Sequence, residues 1–167
     1  METSPIATAP QQDAPDGVGR RAWSDVSDRR ETAAEVAYAF FYGTLMTGFD
    51  RRRRAGIENR MSVVGRGSIQ GALYDLGIYP AAVPAADGHV WGEVYRLHEP
   101  DPVLAVLDEI EGYAATDPDR SLYVRALVPV TLVGGRQLKA WAYFYNAPLG
   151  QAPRIASGDY LDYVRVR

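Results

Sequence analysis

The sequence predicts an α+β fold, a small mixed β-sheet curved into a barrel with two helices against it. Three observations predict this. Short apolar or alternating runs bounded by glycine recur along the chain, as strands do. Two other stretches carry helical signals. The resulting order of strand, helix, strand, strand, helix, strand, strand suits a mixed sheet with few helices. The 167 residues suffice for one domain with its own core, and 47% are hydrophobic, an ordinary globular share.

Residues 1–35 are rich in Ala, Pro, Gln, Asp and Ser and show no apolar period, so a disordered N-terminal tail is expected there and a folded domain over 36–167. Val36–Tyr42 is an apolar and aromatic run ending at Gly43, a buried strand. A helix is expected from Asp50 to Ser62 and a strand over Ser68–Leu76. Val90–Leu97 alternates apolar with polar or small residues, as a half-buried strand does. The second helix runs from Pro102 to Glu111, with Asp101 as its cap, Pro102 at the first helical position and Gly112 to end it. Leu122–Val133 and Gln137–Asn146 form a hairpin around Gly134-Gly135.

The chain has no cysteine, which excludes disulfides, thiolate metal sites and a cysteine nucleophile. No stretch approaches the roughly 20 apolar residues of a membrane span, and the N-terminus lacks the basic start and apolar run of a secretory signal, so a cytoplasmic location without membrane contact is expected. Residues 1–35 hold four Arg and seven Asp or Glu (4 − 7 = −3), which is the whole net charge of −3. Residues 36–167 hold fourteen of each sign, so no nucleic-acid partner is expected. The Arg51–Arg54 run makes one local exception. It could face an acidic partner, although a solvated helix face is the commoner outcome, and no aromatic stacking pattern accompanies it. His89 and His98 are too few and too far apart for a zinc site. Gly65–Gly71 has one residue too many for a dinucleotide fingerprint and leads into a strand instead of a helix. No Gly-Xaa-Ser-Xaa-Gly elbow is present.

On a wheel of about 100° per residue, Val103, Leu104, Val106, Leu107 and Ile110 define the face of the second helix that packs inward. Glu111 falls near 80°, between Leu107 and Leu104, whereas Asp108 and Glu109 fall at about 140° and 240°, at the edge or outside. A carboxylate on the inner stripe is desolvated unless paired, and desolvation raises its pKa toward the range of a general acid or base. Two readings stand: a tuned catalytic carboxylate, or a frayed last turn with Glu111 in water. The turn Tyr42-Gly43-Thr44-Leu45 also has two readings. Backbone N–H groups at a strand end can converge into an anion-binding nest, or the segment is an ordinary turn.

Tyr42-Gly43-Thr44-Leu45 directly after an apolar first strand resembles the signature loop of the γ-glutamylcyclotransferase-like family, which includes the AIG2-like and γ-glutamylamine cyclotransferase groups. Further blocks resemble the family in its order: Gly71–Gly77 with Tyr79-Pro80-Ala81, Val90–Tyr95, Leu107–Tyr113, Tyr123-Val124-Arg125, Ala140–Tyr143 and Ile155–Tyr160. The likeness covers roughly residues 37–163, and its catalytic Glu falls on Glu111, the acid that the wheel singles out. Residues 114–121 are long and acidic beside the shortest relatives and are a candidate lid or specificity loop.

The resemblance implies a cyclotransferase that closes a γ-glutamyl group to 5-oxoproline and releases an amine or amino acid, with the formal chemistry of a lyase or transferase. It implies Glu111 as general base and acid, Tyr42, Gly43, Thr44 and Leu45 as the substrate cradle, and Tyr123 and Tyr143 as pocket walls, for which plain sheet packing is an equal reading. No cofactor and no metal are implied. The partner is a small γ-glutamyl molecule, and the chain is expected as monomer or homodimer. Two alternatives remain at this level: a non-catalytic module that binds a small metabolite in the same pocket, and an interaction protein that uses Arg51–Arg54.

Overall fold

The computed structural model describes residues 36–167. The expected tail over 1–35 lies outside them. Five strands close into a barrel in the order β1 (Tyr38–Phe41), β5 (His89–Leu97), β2 (Met61–Gln70), β6 (Tyr123–Leu132), β7 (Gln137–Tyr145). Four of the five pairings are antiparallel. The fifth, where Ala39 of β1 meets Trp141 of β7, is parallel, and this closure makes the sheet mixed. Two of the seams are short, with two residue pairs between β2 and β6 and one between β1 and β7. A separate hairpin, β3 (Ala72–Asp75) and β4 (Pro80–Val83), sits beside it.

Local chemistry explains the elements that match expectation. Val90, Val94 and Leu97 of β5 are at most 1% exposed, and Arg96 points to water. Gly134 and Gly135 turn the β6–β7 hairpin at φ 103° and 96°, in the left-handed region that favours glycine. The second helix, α2 (Pro100–Glu111), buries Val103, Leu104, Leu107 and Glu111 and ends at Gly112 with φ 65°. Tyr113 N–H donates to Asp108 C=O at 2.8 Å, closing its last turn.

Four expectations are corrected. The helix from Asp50 to Ser62 is only a single turn, α1 (Arg51–Arg54). Gly56 at φ 74° ends it, a 3₁₀ turn over Glu58–Arg60 follows, and the run from Met61 joins β2. Glu58 and Arg60 supply no apolar stripe to hold a longer helix, whereas Val63 and Val64 favour a strand. The strand over Ser68–Leu76 is two strands, because the chain leaves the barrel at Gly71, where any Cβ would lie 2.9 Å from Val83 C=O. Asp101 does not cap α2. The helix begins at Pro100, so Asp101 lies within its first turn and the capping position is Glu99, which makes no side-chain cap bond. Both Pro100 and Pro102 tolerate a first turn, since their missing N–H groups would have no partner there. Finally, β4 and a C-terminal helix α3 (Tyr160–Arg165) were not anticipated.

The β3–β4 hairpin forms one wall of the cleft described below, and the C-terminus holds it in place. Asp75 at the end of β3 accepts hydrogen bonds from Tyr163 Oη (2.7 Å), Gly77 N (2.7 Å) and Arg167 Nη2 (2.6 Å). These bonds, Tyr163 first, hold its carboxyl below the usual carboxylate range.

Candidate active site

β1 runs out of the barrel into the turn 43–46, where Met46 N–H donates to Gly43 C=O at 3.0 Å. The N–H groups of Thr44 and Leu45, at the two central positions of that turn, have no hydrogen-bond partner among the described residues. Gly43 is not in the left-handed region. The glycine serves a different purpose: a Cβ there would lie 2.9 Å from Pro80 Cγ and 3.1 Å from its Cδ. Close approach of the β3–β4 hairpin, rather than backbone strain, is what requires it.

The turn opens into a small cleft lined by Phe40, Phe41, Tyr42, Gly43, Thr44, Leu45, Arg51, Tyr79, Pro80, Glu111, Tyr123 and Tyr143. The last turn of α2 aims Glu111 into it. Its residue is 8% exposed, and burial pushes its carboxyl above the ordinary glutamate value, with the Arg51 guanidinium pulling the other way. Arg51 Nη1 stands 3.8 Å from Glu111 Oε1 and donates to Thr44 Oγ1 at 3.0 Å. One carboxylate and one guanidinium thus share a small, mostly apolar space with the turn 43–46. A second, wider hollow around Gln70, Pro84, Leu127 and Pro129 has His89 as its one titratable lining residue.

All the residues proposed from the sequence line this cleft, but the tyrosines do so as walls. Tyr42 Oη donates to Tyr143 C=O at 2.6 Å and accepts from Ala82 N–H at 3.3 Å. Tyr123 Oη donates to Pro80 C=O at 3.2 Å, and Tyr143 Oη donates to Asp108 Oδ1 at 2.7 Å. Burial raises all three phenol pKa values well above the usual one, so they stay neutral. Their hydroxyls join β1, β7, α2 and the β3–β4 hairpin around the opening. Tyr42→Phe would strand Tyr143 C=O and Ala82 N–H without their partner. We expect a loss of about 1–3 kcal/mol in urea-induced unfolding, with the cleft otherwise intact.

Asp108 faces outward from the cleft toward Arg125, 3.4 Å away, whose guanidinium lies between the rings of Tyr113 and Trp141. Residues 114–121, the candidate lid, contribute nothing to the lining. Ser121 Oγ accepts from Ala114 N–H at 2.9 Å, and Asn146 Nδ2 donates to Pro118, Asp119 and Ser121 C=O at 3.2 Å each, so the loop is fastened to β7's end.

The sequence reading missed Phe40, Phe41, Arg51, Tyr79 and Pro80 as cleft residues. The four arginines it grouped as one charged face are divided. Arg51 lines the cleft, and Arg52 is buried with its guanidinium 4.5 Å above the Tyr95 ring. Arg53 and Arg54 are exposed, the latter beside Asp50 at 3.6 Å. No pattern in the run distinguishes these fates. Among the described residues, no three His, Asp or Glu side chains gather as a metal site, and no helix is long and apolar enough to cross a membrane.

Comparison with known proteins shows the family. Residues 39–162 match the family described as gamma-glutamyl cyclotransferase, AIG2-like. A Methanocaldococcus jannaschii protein provisionally named a gamma-glutamylcyclotransferase is 33% identical over 129 residues, covering 77% of this chain and 98% of that one. The gamma-glutamylcyclotransferase family protein YtfP of Escherichia coli K12 is 36% identical over 127 residues, covering 74% of this chain and 95% of its own length. The solution structure of the Escherichia coli protein superposes with a TM-score of 0.53 at 32% identity, covering 76% of this chain and 98% of that one. In Bacillus subtilis YkqA the same fold recurs at TM-score 0.59 and 22% identity over 78% of this chain, which spans only 41% of that longer protein. The barrel, the turn after its first strand and the family match over residues 39–162 together place this chain in the AIG2-like gamma-glutamyl cyclotransferase family.

Proposed function

We propose that the chain cyclises a γ-glutamyl group to 5-oxoproline and releases an amine or amino acid, with Glu111 as the proton carrier and the Tyr42–Leu45 turn as the cradle. One observation carries the reading. A buried carboxyl with a raised pKa lines the same small cleft as the turn whose Thr44 and Leu45 N–H groups have no partner among the described residues.

The chemistry follows from those groups. The substrate's α-amine is mostly protonated near neutral pH and cannot attack until it loses a proton, which Glu111 accepts. The amine nitrogen then bonds to the side-chain amide carbon, closing a five-membered ring. As that bond forms, the carbonyl oxygen becomes negative, and the Thr44 and Leu45 N–H groups are suited to stabilise it. The carbon–nitrogen bond to the leaving group breaks as Glu111 returns the proton to that nitrogen. The ring nitrogen, cationic after attack, gives up a second proton to become the neutral lactam, and the released amine takes it up and departs as its ammonium, so protons and electrons balance without any other reactant. The apolar walls of Phe40, Phe41 and the three tyrosines fold the flexible glutamyl chain so that amine and carbonyl meet, which is the proximity contribution.

The test is incubation with γ-glutamyl amino acids, γ-glutamyl amines and glutathione-related peptides, followed by chromatographic detection of 5-oxoproline. We expect release from at least one of these classes. Thermal stabilisation by a γ-glutamyl compound with no 5-oxoproline formed from any of them would replace this reading with that of a binding module.

A further inference from the structure

We propose, building on the cyclotransferase reading, that Arg51 is the anchor for the α-carboxylate of the substrate's glutamyl group and so makes the enzyme selective for substrates that carry it. Arg51 is the one cation, and Glu111 the one carboxylate, among the described residues lining the cleft. They face each other at 3.8 Å, too far for a hydrogen bond. The glutamyl head carries an amine and a carboxylate on a single carbon. Amine toward Glu111 and carboxylate toward Arg51 matches opposite charge to opposite charge on both sides. A carboxylate on the leaving group is separated from that amine by the whole glutamyl chain and does not share this spacing.

The guanidinium has donors to spare. Its single hydrogen bond among the described residues goes to Thr44 Oγ1, and with its side chain 31% exposed it opens toward the mouth of the cleft. An arginine presents five N–H groups in a fork suited to carboxylate. Its direction is set by its neighbour: buried Arg52, stacked on the Tyr95 ring, fixes the single turn of α1 so that the preceding residue points into the cleft. If Arg51 takes the carboxylate, the Thr44 and Leu45 N–H groups remain for the carbonyl oxygen. The two negative oxygen centres of the reaction then each have their own donors.

Binding of 5-oxoproline, which retains the carboxylate, is compared with binding of 2-pyrrolidinone, which lacks it, by calorimetry on the wild type and on Arg51→Gln, Arg51→Lys and Arg53→Gln. Arg51→Gln should weaken 5-oxoproline binding by about 10-fold or more and leave 2-pyrrolidinone unchanged. Arg51→Lys should fall between, and Arg53→Gln, on the exposed side of the same turn, should match the wild type. In turnover, the wild type should prefer γ-glutamyl-alanine to its glutamyl α-carboxamide analogue, and Arg51→Gln should lose that preference, mainly through KM. Equal 5-oxoproline affinity in wild type and Arg51→Gln overturns the assignment. So does an Arg51→Gln defect seen with γ-glutamyl-alanine but not with γ-glutamyl-ethylamine, since the residue would then read the leaving group. A wild type that releases no 5-oxoproline from any substrate removes the cyclotransferase reading itself, which separates the two failures.

Discussion

Glu111→Gln should lower kcat by about 10²- to 10⁴-fold while the protein still folds, as judged by circular dichroism and a two-state melt. Glutamine keeps the shape of the side chain and loses only its capacity to carry a proton. The buried position makes the effect large, because no other carboxylate among the described residues lines the cleft to substitute for it. Stability should hold or rise slightly. Burial raises this carboxyl's pKa, so the folded state binds its proton more tightly than the unfolded state does. Glu111 thus favours folding below its unfolded pKa, and that contribution is lost as pH rises through the folded value. At neutral pH the ionised form is a net burden, which the amide removes. The same shift sets the acid limb of the rate: activity should fall as pH drops through an apparent pKa above the ordinary glutamate value, and Glu111→Gln should lack that limb. Wild-type turnover in the variant would end the role assigned to Glu111.

Gly92→Ala should destabilise the fold by about 3 kcal/mol or more, or prevent soluble expression. A Cβ at this position of β5 would lie 2.2 Å from Phe41 C=O and 2.7 Å from Phe40 Cζ. The carbonyl belongs to β1, which pairs Phe41 with Glu93 and Phe40 with Val94, so nothing flexible can move aside. Relief requires shifting β1, and β1 leads into the 43–46 turn of the proposed site and closes the barrel against β7. Activity should therefore be lost along with stability. Gly65→Ala is the matched control. It lies in β2, at the register shift against β5, with no atom within 4 Å of its would-be Cβ, and should change stability by no more than about 0.5 kcal/mol. Urea unfolding of the two variants separates the mechanisms. Equal stability for both would show that β1 and β5 are not held as tightly as this packing requires.

The neighbourhood of Gly92 also joins the segment after the 43–46 turn to the barrel. Glu93 accepts the Thr47 N–H at 3.0 Å and the Tyr95 hydroxyl, and Thr47 Oγ1 meets that hydroxyl at 2.7 Å. Burial, with the Glu93 contact second, pushes the Tyr95 phenol up to about 12. The segment between cradle and α1 is in this way fastened to β5, and with Arg52 on the Tyr95 ring it gives Arg51 a fixed base.

Features legible in the sequence are those decided within a few residues. The inward face of α2, Glu111 on that face, Gly112 in the left-handed region that ends it, and the Gly134-Gly135 hairpin all follow from local spacing and backbone freedom. The features that misled depend on partners far along the chain. The arginine run read as a longer helix with one solvated face, and no local property tells Arg51 from Arg53. What separates them is that Tyr95, more than forty residues on, receives Arg52 and turns its neighbour toward Glu111. The division of Ser68–Leu76 into β2 and β3 depends likewise on Val83 passing behind Gly71. Gly43 was read for its turn, yet it is required because Pro80 passes within 3 Å of its missing side chain.

By itself, then, the sequence determined the α+β class, the helix end that points a carboxylate inward and the family likeness, because periodicity and glycine conformation act over one or two turns of chain. Only the tertiary structure decided which groups face that carboxylate. Arg51, Tyr79 and Pro80 reach the cleft because the barrel closes and the hairpin folds back, and the distances that set charge pairing and burial exist only after those distant segments have met.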